Sequence, residues 1–327
     1  MCMLNSAHVW KHAAVVVMAI FAMVGSCFAQ EFPARPITLM VVQGPGGPTD
    51  ILARAVAAGM SERLGKQVIV ENRPGANGAI ASQALIRSAP DGYTLLFTVN
   101  GAQTLAPFAQ TGSKYDPVRD FTPITMVGRY YLVIVANKNL AAKTFPELIE
   151  LAKSKPRGLL VATFGTGNRL TVGQLKAATN VSLIEVPYPD AVKGLQALVS
   201  GDIDIFFDGT GLARTRVDDG IYRAIAVLGP RRVPNLPEVP TVAEYIPGFE
   251  APLWQGIVAP AGLPADIREK LRTAIVEALA SARVRDAATA LGITEISGNS
   301  SEEFGNIIAE EAKKNPELIK RYNLAVE

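Results

Sequence analysis

Ile37-Thr38-Leu39-Met40-Val41-Val42 runs into Gln43-Gly44-Pro45-Gly46-Gly47-Pro48-Thr49-Asp50 and then into Ile51-Leu52-Ala53-Arg54-Ala55-Val56. Six β-prone residues, a Gly/Pro cluster and a helical apolar pattern predict a strand that empties into a helix. Pro48 suits the first helical position, and Thr49 or Asp50 can cap the exposed N–H groups. A turn of this kind presents bare N–H groups at the positive end of the helix dipole, which favours a carboxylate or phosphate. Short βα turns also serve as plain connectors, so the stretch alone leaves both readings open.

A second version lies downstream. Leu159 to Thr163 predicts a strand, Phe164-Gly165-Thr166-Gly167-Asn168 a glycine loop, and Arg169 to Ala178 a helix. Between and after the two units, short apolar runs alternate with helical patterns. Strands are expected at 68–70, 93–98, 184–186, 203–208, 224–228 and 257–259. An extended apolar run, Ile124 to Ala136, predicts one strand crossing from one domain to the next. Helices are expected at 79–87, 145–153, 191–199, 264–279, 284–291 and 300–314, with Thr144 capping the second of these. The alternation predicts an α/β protein of two domains, with mainly parallel sheets and flanking helices. The expected boundaries are 30–124 with 229–327 for a discontinuous first domain, and 125–228 for the second. Ligands of such sheets bind at the carboxyl ends of strands, and two such ends facing across a hinge make a closable cleft.

The N-terminus predicts export. Lys11 precedes an apolar run from Ala13 to Gly25, and Ser26-Cys27-Phe28-Ala29 follows, so residues 1–29 read as a signal peptide cleaved after Ala29. Val24-Gly25-Ser26-Cys27 also resembles a lipoprotein box, which leaves a lipid anchor at Cys27 as the alternative. The 327-residue chain has only two cysteines, Cys2 and Cys27, and only two histidines, His8 and His12, all within the signal region. The mature chain therefore has no Ser-His-Asp triad, no cysteine nucleophile, no disulfide and none of the usual zinc or copper sites. No cofactor is expected. Charged residues make up 19% of the chain and the formal charge is +2, too balanced for a nucleic-acid partner.

Strings spread along the whole mature chain resemble the periplasmic solute-binding receptors of the tripartite tricarboxylate transporter system, the Bug or TctC-like family. They are Arg35-Pro36-Ile37, Pro45 to Asp50, Glu71-Asn72-Arg73-Pro74-Gly75-Ala76, Ala89 to Leu96, Val186-Pro187-Tyr188, Gly201-Asp202-Ile203-Asp204, Pro240 to Glu244 and Ala259-Pro260-Ala261-Gly262, in the family's order. The resemblance implies a venus-flytrap fold, a monomer, and a small organic carboxylate held in the cleft for delivery to membrane transporter subunits. It implies no enzymatic activity. The alternatives are an exported enzyme using Asp50 and Asp208 as an acid–base pair, or a sensor for a membrane signalling partner.

Carried over by position, the first wall of the site is Gln43, Gly46, Gly47, Thr49 and Asp50, with Asn100 beside the hinge. The second wall is Thr163, Phe164, Gly165, Thr166, Gly167, Asn168 and Arg169, with Asp208 at a strand end nearby. The chain departs from the family pattern at Asn168-Arg169-Leu170-Thr171, at Pro189-Asp190, and at Gln103, where a histidine is usual. Arg169 either enters the cleft, where it binds a second carboxylate in bidentate fashion, or points to solvent from the helix's first turn.

Overall fold

The computed structural model describes residues 32–109 and 114–324; the signal region and Cys27 lie outside them. The unit from Arg35 onward contains two mixed sheets. β1 (Ile37–Val41), β2 (Val68–Asn72), β3 (Thr94–Val99), β4 (Phe121–Tyr130), β10 (Leu253–Pro260) and β11 (Ile293–Ile296) form a six-stranded sheet of order β11-β4-β10-β3-β1-β2. β5 (Leu132–Asn137), β6 (Leu159–Thr163), β7 (Leu183–Pro187), β8 (Ile205–Gly209) and β9 (Tyr222–Val227) form a five-stranded sheet of order β7-β6-β8-β5-β9.

The sheets were expected to be mainly parallel. Instead, β1 pairs parallel with β2 and β3, and β6 with β7 and β8, while β4, β5, β9, β10 and β11 all pair antiparallel. The parallel part is the pair of βαβ units that the sequence displays. The antiparallel part comes from long-range returns, which leave no local signature.

The run from Ile124 to Ala136 is two strands, not one. The chain leaves the first sheet after Tyr130 and enters the second at Leu132, so position 125, where the second domain was expected to begin, falls inside β4. β5 and β10 are buried along their whole length, as strands covered on both faces are.

The helices are α1 (Pro48–Leu64), α2 (Ala79–Ile86), α3 (Ala106–Ala109), α4 (Phe145–Ser154), α5 (Gly165–Thr179), α6 (Ala191–Ser200), α7 (Thr210–Asp218), α8 (Ala265–Leu279), α9 (Ala282–Ala290) and α10 (Ser301–Tyr322). A π-helical turn, Gly101–Leu105, leads into α3. α10 starts with a capping box in which Ser300 and Glu303 satisfy each other's backbone N–H groups. It was expected to stop at Lys314 and instead runs through Pro316 to Tyr322. Proline removes one helical hydrogen bond, but tertiary contacts hold the last two turns. Asn315 Nδ2 donates to Thr104 O at 2.7 Å, and Ile319 and Leu324 are buried with Leu105, Ala109 and Leu170.

The first sheet's core is centred on Trp254 and Phe304, whose rings meet edge-on at 5.1 Å. Phe304 fills the space left by Gly256: a Cβ there would lie 2.3 Å from the Phe304 ring. Phe304 is fully buried, so Phe304→Ala should cost about 3–4 kcal/mol, by the cavity it leaves. Chemical denaturation should show the loss as a lower midpoint with an unchanged slope.

Candidate functional site

The loop after β1 is held by one carboxylate. Thr49 and Asp50 were expected as helix caps, but Gly47 occupies the cap position of α1 and no side chain caps it. Asp50 lies in the first turn and reaches back. Its Oδ2 accepts from the Gly46 N–H at 2.9 Å and from Arg54 Nε at 3.0 Å, and its Oδ1 accepts from Asn72 Nδ2 at 2.8 Å. Asn72 also donates to Gln43 O at 3.0 Å. Burial pushes the Asp50 carboxyl up, but hydrogen bonds from Arg54, Gly46 and Asn72 outweigh it and hold its pKa below the ordinary value. Asp50 therefore shapes the loop, and its oxygens are occupied inside its own lobe. Thr49 is buried, while Gln43 and Gly46 are exposed. A Cβ built on Gly44 or Gly46 would meet nothing within 4 Å, so this loop borders open space.

The second glycine loop is itself helical. α5 begins at Gly165 rather than at Arg169, with Phe164 as its cap residue and Gly165 at φ +62°. The start comes directly after β6 because glycine allows the left-handed turn there. Phe164 stacks on Phe206 at 5.7 Å, and Thr163 is buried with its carbonyl accepting from Tyr188 N at 2.8 Å. Asn168 is 5% exposed. Its Oδ1 accepts from the Phe164 N–H at 3.4 Å, while its Nδ2 is buried without a hydrogen-bond partner.

The start of α5 meets two loops from the first sheet. Thr166 Oγ1 donates to Gly101 O at 3.1 Å. A Cβ on Gly101 would lie 3.1 Å from Gly167 N and 3.2 Å from Thr166 Oγ1, and one on Gly167 would lie 3.8 Å from Asn100 Oδ1. On another side a Cβ on Gly165 would lie 3.8 Å from Asn77 Oδ1. Asn77 belongs to a run of four residues with positive φ: Gly75 at 122°, Ala76 at 45°, Asn77 at 48° and Gly78 at 91°. Ala76 is strained there, since a Cβ disfavours that region. Sequence reasoning does not single out Asn77. Its signal is the Pro74-Gly75-Ala76-Asn77-Gly78 turn cluster, whose composition by itself predicts only a loop.

So the structure brings Asn100, Gly165, Thr166 and Gly167 together, and the Gln43–Asp50 loop makes no such approach to them among the described contacts. Other expectations are corrected or decided. Arg169 is partly exposed, and its donors are taken by groups of the protein. Its Nε donates to Glu185 Oε2 at 3.1 Å, and Nη1 and Nη2 donate to the carbonyls of Leu324 and Asn323 at 3.0 and 2.9 Å. Asp208 Oδ1 accepts from Gly209 N at 2.8 Å, and Oδ2 accepts from Tyr222 Oη at 2.7 Å and from Arg216 Nη1. Burial, and then the Asp208 charge, push the Tyr222 hydroxyl well above the usual range, so it stays a donor. Gln103 is fully buried, with Nε2 on Pro117 O at 3.3 Å. Asp190 caps α6 through the Lys193 N–H at 2.9 Å.

Asp50→Asn keeps the shape of the side chain and loses its charge. It should cost about 1–2 kcal/mol at pH 7, a modest figure because Arg54 is half exposed. A lowered carboxyl pKa gives stability that is present above the ordinary value near 3.8 and lost as pH falls below it. The gap between wild type and Asp50→Asn should therefore narrow from pH 7 to pH 3 in urea unfolding.

Comparison with known proteins gives one answer. The model of the "Tripartite tricarboxylate transporter family receptor", TctC, matches residues 52–324. The periplasmic binding protein BugD is 30% identical, with a TM-score of 0.79 over 90% of this chain and 100% of that one. Rpa4515 of R. palustris, solved with adipate, is 29% identical, with a TM-score of 0.81 over 90% of this chain and 99% of that one. MatC of Rhodopseudomonas palustris, solved with bound malate, is 30% identical, with a TM-score of 0.78 over 88% of this chain and 100% of that one. The chain belongs to the tripartite tricarboxylate transporter receptor family, the TctC or Bug receptors.

Proposed function

We propose that this chain is an exported receptor that closes on a small organic carboxylate and delivers it to the membrane subunits of a tripartite tricarboxylate transporter. The observation that carries the reading is the start of α5. Its side-chain-poor first turn, Gly165-Thr166-Gly167, faces Asn77, Asn100 and Gly101, and beside it the buried Asn168 amide has a free donor. A carboxylate held there takes hydrogen bonds from neutral groups and the helix dipole, with no buried cation. Adipate and malate in similar structures support a ligand with carboxylates.

The residues of the first sheet, up to Tyr130 and from 229 onward, and those of the second sheet, 132–228, act as the two lobes, with the crossing at Tyr131 as one hinge. The ligand shifts an open–closed equilibrium by contacting both lobes in the closed state only. The protein works in the periplasm as a monomer. The tied carboxylates of Asp50 and Asp208 favour a receptor over an acid–base enzyme, since neither has an oxygen without a donor.

Adipate and malate should raise the melting temperature of the mature chain in a concentration-dependent way. A ligand at a hundred times its dissociation constant adds about 2.7 kcal/mol, and native mass spectrometry should recover it unchanged. A flat response across mono-, di- and tricarboxylates, or conversion of the bound compound, overturns the reading.

A further inference from the structure

We infer that the carboxyl end of α10 is a positioning clamp for α5, with Arg169 as its grip. The inference rests on α5 being the helix that receives the ligand. The residue after the free amide of Asn168 is the one that reaches out. Arg169 donates to Glu185 on β7 and to the carbonyls of Asn323 and Leu324 at the end of α10. Only a guanidinium spreads donors in these directions from one rigid plane. Asn323 is the cap residue just past α10 and Leu324 follows it, so the guanidinium lies by the negative end of that helix's dipole, where a cation is favoured.

The end of α10 is built to be held. Asn323 turns left-handed at φ +52°, and Leu324 N donates back to Ile319 O at 3.0 Å. Leu324 is fully buried beside Leu170 of α5. Tyr322 sits where a Cβ on Gly173 would come within 2.7 Å of it, so α5 and α10 touch closely one turn further along.

The other half of α10 is fixed to the first sheet's side. Glu311 accepts from Trp254 Nε1 at 2.8 Å and from Thr104 Oγ1 at 2.7 Å, and Asn315 donates to Thr104 O. Thr104 lies in the π-helical turn whose Gly101 carbonyl accepts from Thr166. A closed circuit results: α10 holds the π turn in its middle and α5 at its end, and the π turn touches the start of α5. The first turn of α5 is therefore set from both sides, and Arg169 acts through helix position rather than by touching the ligand.

Amide hydrogen exchange of the ligand-free mature chain tests this. Arg169→Ala should speed exchange across 165–171 about tenfold and leave β1 and β3 unchanged. A chain ending at Tyr322 should do the same. The two changes combined should do less than the sum of their separate effects, because both break the bonds from Arg169 to the carbonyls of Asn323 and Leu324. Arg169→Lys, which keeps the charge without the fork, should fall between wild type and Arg169→Ala. Adipate affinity should drop in the same rank order. Unchanged exchange at 165–171, a uniform rise over both sheets, or fully additive effects overturn the clamp. Exchange is read without ligand, so a chain that binds no carboxylate refutes the receptor reading, while the exchange pattern still decides for or against the clamp.

Discussion

Two backbones can come only as close as their side chains allow, and at Gly101 and Gly167 the two halves of this protein meet with almost none. A Cβ at Gly101 would press on Gly167 N at 3.1 Å, closer than most real Cβ contacts. The bond from Thr166 to the Gly101 carbonyl fits only in that narrow gap. Gly101 opens the π-helical turn that leads into α3. π turns are rare and frequently lie at functional sites. Here the turn carries Thr104, which ties it to Glu311 and Asn315 of the last helix. The start of α5, the adjoining loops and the C-terminal helix thus share one constraint.

The charged groups near this region follow a single pattern. Asp50, Asp208 and Arg169 each have their polar atoms engaged within the protein. Burying an unpaired charge in the site would cost several kcal/mol, and none of these three adds that cost. The groups at the helix start are dipoles: backbone N–H groups, the Thr166 hydroxyl that donates to Gly101 O, and the amides of Asn77, Asn100 and Asn168. Dipoles held in place by packing need no reorganisation when an anion arrives.

The sequence displays its local features well. The βα units, the glycine loops, the cap at Thr144 and the family strings all act within a few residues, so their signals are contiguous. The features it hides act across distance. The change of sheet at Tyr131 lies inside a uniformly apolar run, where periodicity has nothing to mark it. β11 is four residues long, mostly exposed, and exists because β4 offers it an edge. α10 continues past Pro316 because Thr104, more than two hundred residues earlier, supplies a partner for Asn315. Sequence alone leaves Arg169 a choice between cleft and solvent because its partners, Asn323 and Leu324, are backbone carbonyls, which no side-chain pattern advertises.

Arg169 also alters how departures from a family pattern should be read. A cation replacing a small or neutral residue beside a binding loop suggests a new charge for the ligand to meet. Its geometry argues otherwise: the guanidinium extends away from the start of α5 and is met there by Glu185, which also faces Lys176 at 3.6 Å. One acidic residue thus balances two basic ones on the far flank of the helix, and two further Arg169 donors are taken by carbonyls. The residue ties α5 to β7 and to the end of α10. Asn77 on its strained loop and Asn100 beside Gly101 are the side chains that the first sheet's loops bring to the start of α5.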